Sequence, residues 1–184
     1  SGVENINLGN NLLGFGDIRA ESIHYSYDNK MLDGNTRDDG SVCGFGGCYY
    51  NRPADRSDNH HEISARLGLE TNNEGINYFA QGSLGFRPPQ INEAYRLQKK
   101  QSVSDLDSEK LSMFEIGSKF DFNGINGSIS FYKGKKKNSI FRDSENFIID
   151  NGKTNHEGME LTSRIQFLNE SSLLVTLTYG DHKY

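Results

Sequence analysis

Tryptophan is absent from the 184 residues, proline occurs three times and cysteine twice, and no stretch approaches the roughly 20 consecutive apolar residues of a membrane-spanning helix. The last absence excludes a helical membrane protein. A membrane β-barrel stays open, because its strands alternate lipid-facing with lumen-facing residues and so keep the apolar fraction low; here it is 34%. No domain-wide basic excess exists: the formal net charge is -5, which excludes nucleic acid as a partner. The sequence holds no nucleophile with its base, no P-loop and no dinucleotide fingerprint, so it reads as neither an enzyme nor a cofactor-binding protein. Two cysteines with no second pair do not complete a zinc site, and no metal centre is expected. At the amino end, Ser1-Gly-Val-Glu4 has neither a charged n-region nor an apolar h-region, so the beginning of an exported protein is expected to lie outside this sequence.

What is present is alternation. The length suits one domain. Residues 1–16, rich in Asn and Gly, read as a loop or turn. Residues 17–28 place Ile23, Tyr25 and Tyr27 on one face of a strand. Residues 62–71 oppose Ile63, Ala65, Leu67 and Leu69 to Ser64, Arg66, Gly68 and Glu70. Further strands are expected at 76–85, at 109–122, up to Tyr132, at 158–167 and after residue 171, seven in all, each near the 9 to 11 residues that cross a tilted bilayer. Connections alternate. Short turns fall at 72–75, 123–127 and 168–171, and long polar segments at 30–61, 88–108 and beyond Tyr132, the last with short strands at 139–142 and 147–149. This is the arrangement of an outer-membrane barrel, with short periplasmic turns and long extracellular loops. Seven strands do not close an even-numbered barrel, and an open arc exposes two edges to lipid, so the chain is expected to be a fragment.

The strand at 76–85 runs into Gly85-Phe-Arg-Pro-Pro-Gln-Ile-Asn-Glu-Ala-Tyr95, where two prolines stop it by removing ladder donors and fixing φ. Gly85, Phe86, Arg87, Pro89, Glu93 and Tyr95 match a signature of TonB-dependent outer-membrane receptors. Leu106-Asp-Ser-Glu109, Phe114-Glu-Ile-Gly117, Ser130-Phe-Tyr132, Asn138-Ser-Ile140 and His156-Glu-Gly-Met-Glu160 continue the resemblance in order. It implies an all-β fold, with residues 1–184 forming part of an antiparallel transmembrane β-barrel meander and the plug domain outside the chain. It also implies outer-membrane localisation in a Gram-negative bacterium and TonB-coupled uptake of a scarce ligand such as an iron-siderophore. Outer-membrane lipid and lipopolysaccharide are then partners, as is TonB through the missing N-terminal region, with a small-molecule ligand such as a ferric chelate. The alternative is a soluble β-barrel or sandwich acting as a ligand-binding module. The six signature residues are expected to fix the exit of the strand rather than to bind.

Cys43 and Cys48 flank Gly44-Phe-Gly-Gly47 in the longest polar segment, a spacing that suggests a small disulfide-closed loop in an oxidising compartment; a metal pair and free thiols are the alternatives. Directly after it come Tyr49, Tyr50, Arg52, Arg56, His60 and His61, aromatic and cationic groups suited to gripping an anionic chelate; the other reading is a solvated loop whose Arg and Asp residues pair. His60 and His61 are adjacent, so on a strand they cannot ligate one metal. Residues 33–39 carry Asp33, Asp38 and Asp39 at a density that could hold calcium, without EF-hand spacing. Lys135, Lys136 and Lys137 are placed in a loop near the membrane boundary, facing lipopolysaccharide phosphates, an acidic ligand or water alone. Finally, Ile63, Leu67, Leu69, Met159, Leu161, Ile165, Val175 and Leu177 are expected to face lipid, and Arg66, Glu70, Glu115, Glu160 and Arg164 the lumen.

Overall fold

The computed structural model describes residues 4–30, 36–37, 39–45, 47–48, 50–102, 104–168 and 171–184. Eight long-range strands form one antiparallel meander: β1 (Glu4–Gly9), β2 (Leu12–Tyr27), β4 (Arg56–Thr71), β5 (Ile76–Arg87), β7 (Glu109–Phe122), β8 (Ile125–Arg142), β9 (Ile148–Leu168) and β10 (Ser171–Lys183). Above them, β3 (Tyr50–Asn51) pairs with β6 (Leu97–Gln98), next to the short helix α1 (Ile91–Tyr95). Among the described residues β1 and β10 are unpaired on their outer edges, so the sheet is open.

Three expectations are corrected here. The sheet has eight strands, not seven, so the odd-number argument does not apply. The extra one is β1, which pairs with the start of β2 inside the segment read as a loop. Asn10 and Asn11 make the two-residue turn, both at positive φ, as the primed hairpin turns require. At the start of β2 the alternation is hidden because glycine occupies the apolar face, whereas in β1 Ile6 and Leu8 alternate openly with Asn5 and Asn7 in a run rich in turn-forming residues. A Cβ on Gly14 would lie 3.3 Å from Leu8 Cδ1, and one on Gly16 only 2.6 Å from Leu67 Cδ2, so bulky neighbours fill the space.

Strand lengths are the second correction: they run from 12 to 21 residues in β2, β4, β5 and β7 to β10, well past a bilayer. The third concerns the segment after Tyr132. It is a continuous hairpin of β8 and β9, paired as far as Arg142 and Ile148, so that only residues 143–147 connect the strands and the lysine run lies within β8. Outside the bilayer both faces of a strand meet water, which removes the apolar period that marks a strand in sequence.

Because the order is sequential and antiparallel, the turns at 10–11, 72–75 and 123–124 share one rim and the longer segments 28–55 and 88–108 the other. Residues 169–170, in the remaining short turn, lie outside the described residues. Asn123 and Gly124 make a second turn with both φ values positive.

Register sorts the two faces. Leu69, Ala80, Ile116, Phe131, Met159 and Tyr179 follow one another across β4, β5, β7, β8, β9 and β10 as directly paired residues, and therefore share a face. The next row down, Ser118, Ile129, Leu161 and Leu177, continues it. Arg66, Glu70, Glu115, Glu160 and Arg164 alternate with these residues and all fall on the opposite face, as expected. There they are solvated by one another. Arg66 donates to Gln81 at 2.7 Å, Gln81 donates to Glu115 at 2.5 Å, and Lys119 meets Glu70 at 2.7 Å. Within the belt the apolar face has no such partners among the described residues, where Ile63, Leu67, Leu173 and Leu177 are more than half exposed; ion pairs on that face, such as Lys133 with Glu157, begin beyond Phe131. A belt this wide, apolar on every strand, has the make-up of a lipid-facing surface.

Candidate functional site

The buried apolar residues do not lie between sheets. Cys48, Ala94, Tyr95, Leu97 and Ile148, together with Pro89, collect at the rim that carries the longer segments. The segment that follows Arg87 supplies most of them: Pro89, Ala94, Tyr95 and Leu97. Pro88 and Pro89 end β5 as their chemistry demands, and the chain turns into α1.

Each signature residue has a place there. The Arg87 guanidinium holds Glu93 bidentately at 2.9 and 3.1 Å and donates its Nε to Glu109 at 2.5 Å. Glu93 in turn accepts the backbone N–H of Gln90 at 2.7 Å, closing the first turn of α1. Glu109, only 5% exposed, also accepts from Ile140 N at 2.9 Å and pairs with Lys136 at 3.0 Å. One arginine therefore ties the end of β5 to α1, β7 and β8. The Tyr95 ring stacks on Tyr27 with centroids 4.5 Å apart, and its hydroxyl donates to Asp58 at 2.7 Å. Burial and the neighbouring Asp58 carboxylate hold the Tyr95 phenol protonated far above its ordinary range. Tyr25 donates to the carbonyl of the buried Pro89 at 3.1 Å.

Cys43 and Cys48 are joined as a disulfide with Cα atoms 5.2 Å apart. Closing so small a loop stabilises its order by about 2 kcal/mol. Replacing both cysteines by serine should raise the rate of proteolytic nicking within residues 39–48 of the intact protein, with the sheet unaltered. An unchanged cleavage rate would mean that the packing of Cys48, not the covalent link, orders the loop.

Tyr49 and the side chain of Tyr50 lie outside the described residues, as do Asp33 and Asp38 of the acidic run; Asp39 accepts from the backbone and hydroxyl of Ser41, which lowers its pKa. Arg52 reaches the carbonyl of Tyr95 at 3.2 Å. Arg56 pairs with Asp58 and, at 2.8 Å, with Asp105, whose side chain is three-quarters exposed. His60 sits edge-on to Tyr25 at 5.7 Å. His61, one residue on, points to the other face and joins Ile63 in a surface groove. The structure thus brings Arg52, Arg56 and His60 together around Tyr25, Asp58 and Tyr95, and leaves His61 apart.

Sequence reading missed most of the partners. Asp105, Glu109 and Lys136 act across strands distant in sequence and carry no local pattern, whereas the Arg56–Asp58 pair, two residues apart, is the Arg–Asp pairing of the other reading. It missed as well a cavity of about 550 Å³ on the polar face, lined by Arg87, Glu109, Tyr132, Lys136, His156 and His182. His156 and His182 are directly paired across β9 and β10, with their Nδ1 atoms 2.6 Å apart.

Comparison with known proteins agrees with this geometry. No curated protein sequence matches the chain. Among solved structures, the ferric-catecholate import receptor Fiu from E. coli K12 superposes with a TM-score of 0.65 at 15% identity, over 96% of this chain and 27% of its own. The siderophore receptor PirA from Pseudomonas aeruginosa gives 0.67 at 16%, over 98% and 30%. The ferric yersiniabactin uptake receptor FyuA from Yersinia pestis gives 0.68 at 13%, over 97% and 25%. The chain therefore spans between a quarter and a third of the length of these neighbours, and at such identity they show the fold alone. The family described as TonB dependent receptor-like, beta-barrel matches residues 3–184. A match over nearly every residue, on an open antiparallel sheet with this rim and this belt, shows that the chain belongs to the β-barrel family of TonB-dependent receptors.

Proposed function

We propose that these residues form the wall and outer rim of a receptor that takes up a scarce ligand across the outer membrane of a Gram-negative bacterium, driven by TonB acting on parts of the protein outside this chain. A ferric chelate is the ligand class that the site's chemistry suits. The observation that carries this reading is the cationic, aromatic cluster on the rim with the longer segments. Arg52, Arg56 and His60 stand beside three tyrosines, and residues 43–61 supply the recognition surface, including Tyr49, Tyr50 and, on the outer flank, His61. The Arg56 contact with the exposed Asp105 is suited to exchange: a carboxylate or catecholate oxygen of the ligand can take the place of Asp105 without leaving the guanidinium unpaired.

Transport assays matched for surface expression test this. Combined Arg52→Ala and Arg56→Ala replacements in the full receptor should lower uptake of its ferric chelate about tenfold or more, as expected for the loss of charge-assisted hydrogen bonds. A triple Lys135, Lys136 and Lys137 to Ala change should cost less. The reverse ranking would reassign recognition to β8.

A further inference from the structure

The lysine run of β8 splits between two faces. Lys136 points to the polar side and pairs with Glu109, whereas Lys135 and Lys137 point to the face that carries the apolar belt. There they meet other lysines. Lys110, Lys137 and Lys153 are directly paired across β7, β8 and β9, and Lys135 stands one ladder step below, opposite Asn155. All four are exposed. Like charges placed directly opposite one another on a sheet repel. Nearby lysines are neutralised: Lys133 by Glu157 at 3.2 Å, Lys183 by Asp181 at 2.8 Å, and Lys110 by Glu62 at 3.4 Å. Lys135, Lys137 and Lys153 have no carboxylate partner among the described residues.

Their height is also informative. On β8 the apolar belt ends at Phe131, so Lys135 and Lys137 lie about 13 and 20 Å further along the strand, in the zone just outside the hydrocarbon. Beside them β4 and β5 part company. Their pairing stops at Ala65 and Leu84, although β4 stays paired to β2 as far as Arg56 and β5 to β7 as far as Arg87. The parting leaves a groove of about 460 Å³ lined by Lys110, Lys135 and Lys137 on one side and by Ile63, Leu84 and Phe86 on the other, with Glu62 beside Lys110.

We propose that this groove and lysine ladder form a binding site for the phosphorylated headgroup of lipid A, the membrane anchor of lipopolysaccharide. The apolar residues take the upper part of an acyl chain and the lysines take the phosphates. A multivalent anion relieves the repulsion that the uncompensated ladder otherwise carries, and its acyl chains continue down the belt. The inference rests on the outer-membrane reading of the belt.

The test uses the full-length receptor, freed of lipopolysaccharide in detergent. It is reconstituted into phosphatidylethanolamine vesicles containing either diphosphorylated lipid A or its dephosphorylated form. Combined K135Q, K137Q and K153Q changes should weaken binding of the diphosphorylated lipid about 100-fold, at the usual contribution of one lysine each near an anionic surface, while Lys119→Gln on the opposite face leaves it unaltered. In micelles free of lipopolysaccharide the triple variant should unfold at a higher temperature than the wild type, since the repulsion is gone. Equal binding of the dephosphorylated lipid, retained affinity in the triple variant, or a lowered unfolding temperature would each overturn the site. If lipid A binding fails while the receptor still fractionates with outer membranes, only this inference falls; if the receptor does not fractionate there, the proposed function falls with it.

Discussion

Replacing Arg87 by alanine is expected to destabilise the rim by about 3 kcal/mol, the low end of the range for breaking a buried pair, because a third of the arginine side chain still meets solvent. Its removal strips Glu93 of both guanidinium bonds and leaves Glu109, almost wholly buried, with Lys136 and one backbone N–H. Arg87→Lys should recover only part of the loss, since a point charge does not span two carboxylates that a planar fork reaches together. Adding Glu109→Gln to Arg87→Ala should be less than additive, because the carboxylate that was stranded is then neutral. Urea unfolding of the intact receptor in detergent, read by protection of residues 88–98, measures all three. Full additivity in the double variant would show that the two groups do not act as a unit.

The second large effect lies on the belt. Leu177→Arg, directly paired with Leu161 in the middle row of the apolar face, should cost about 2 to 4 kcal/mol in a bilayer, whereas Leu173→Arg, nearer the turn rim, should cost about 1 kcal/mol or less. Thr178→Arg, the neighbour of Leu177 on the polar face, should be close to neutral. Reversible unfolding in phospholipid vesicles gives the three values. A packed soluble module would penalise both leucine positions alike, so an absence of depth dependence would count against the membrane reading.

How much of this was legible in the sequence follows from the physics of each part. Where one strand face meets hydrocarbon, period-2 alternation is compulsory, and the strands at 62–71, 76–85, 109–122 and 158–167 stand out because of it. Where both faces meet water the period vanishes, so residues 133–138 and 150–157 read as loop and the lysine run was misplaced, although the short strands expected at 139–142 and 147–149 mark the far end of that hairpin. Where glycine substitutes for an apolar residue beneath a bulky neighbour, as at Gly14 and Gly16, the strand is silent. The rim cluster was half legible. Arg52, Arg56 and His60 carry chemistry in their own side chains, and Arg87, Glu93 and Tyr95 carry it in a motif. Asp58 lies two residues from Arg56 and was within reach of local reading, but Asp105 and Glu109 become visible only once the meander brings together segments up to 50 residues apart.

The unequal connections also bear on how the sheet assembles. The β8–β9 hairpin needs only residues 143–147 to bring its strands into register, whereas β2 meets β4 only after residues 28–55 have closed. By chain statistics the longer closure costs about 1.5 kcal/mol more in entropy before any ladder bond repays it. The carboxyl-terminal half of the sheet can therefore zip from its own short links, and β2 docks onto β4 late. The Cys43–Cys48 bond falls inside the slow link, where it shortens the free chain that must be searched. Oxidation before insertion thus speeds the step that local zipping leaves slowest.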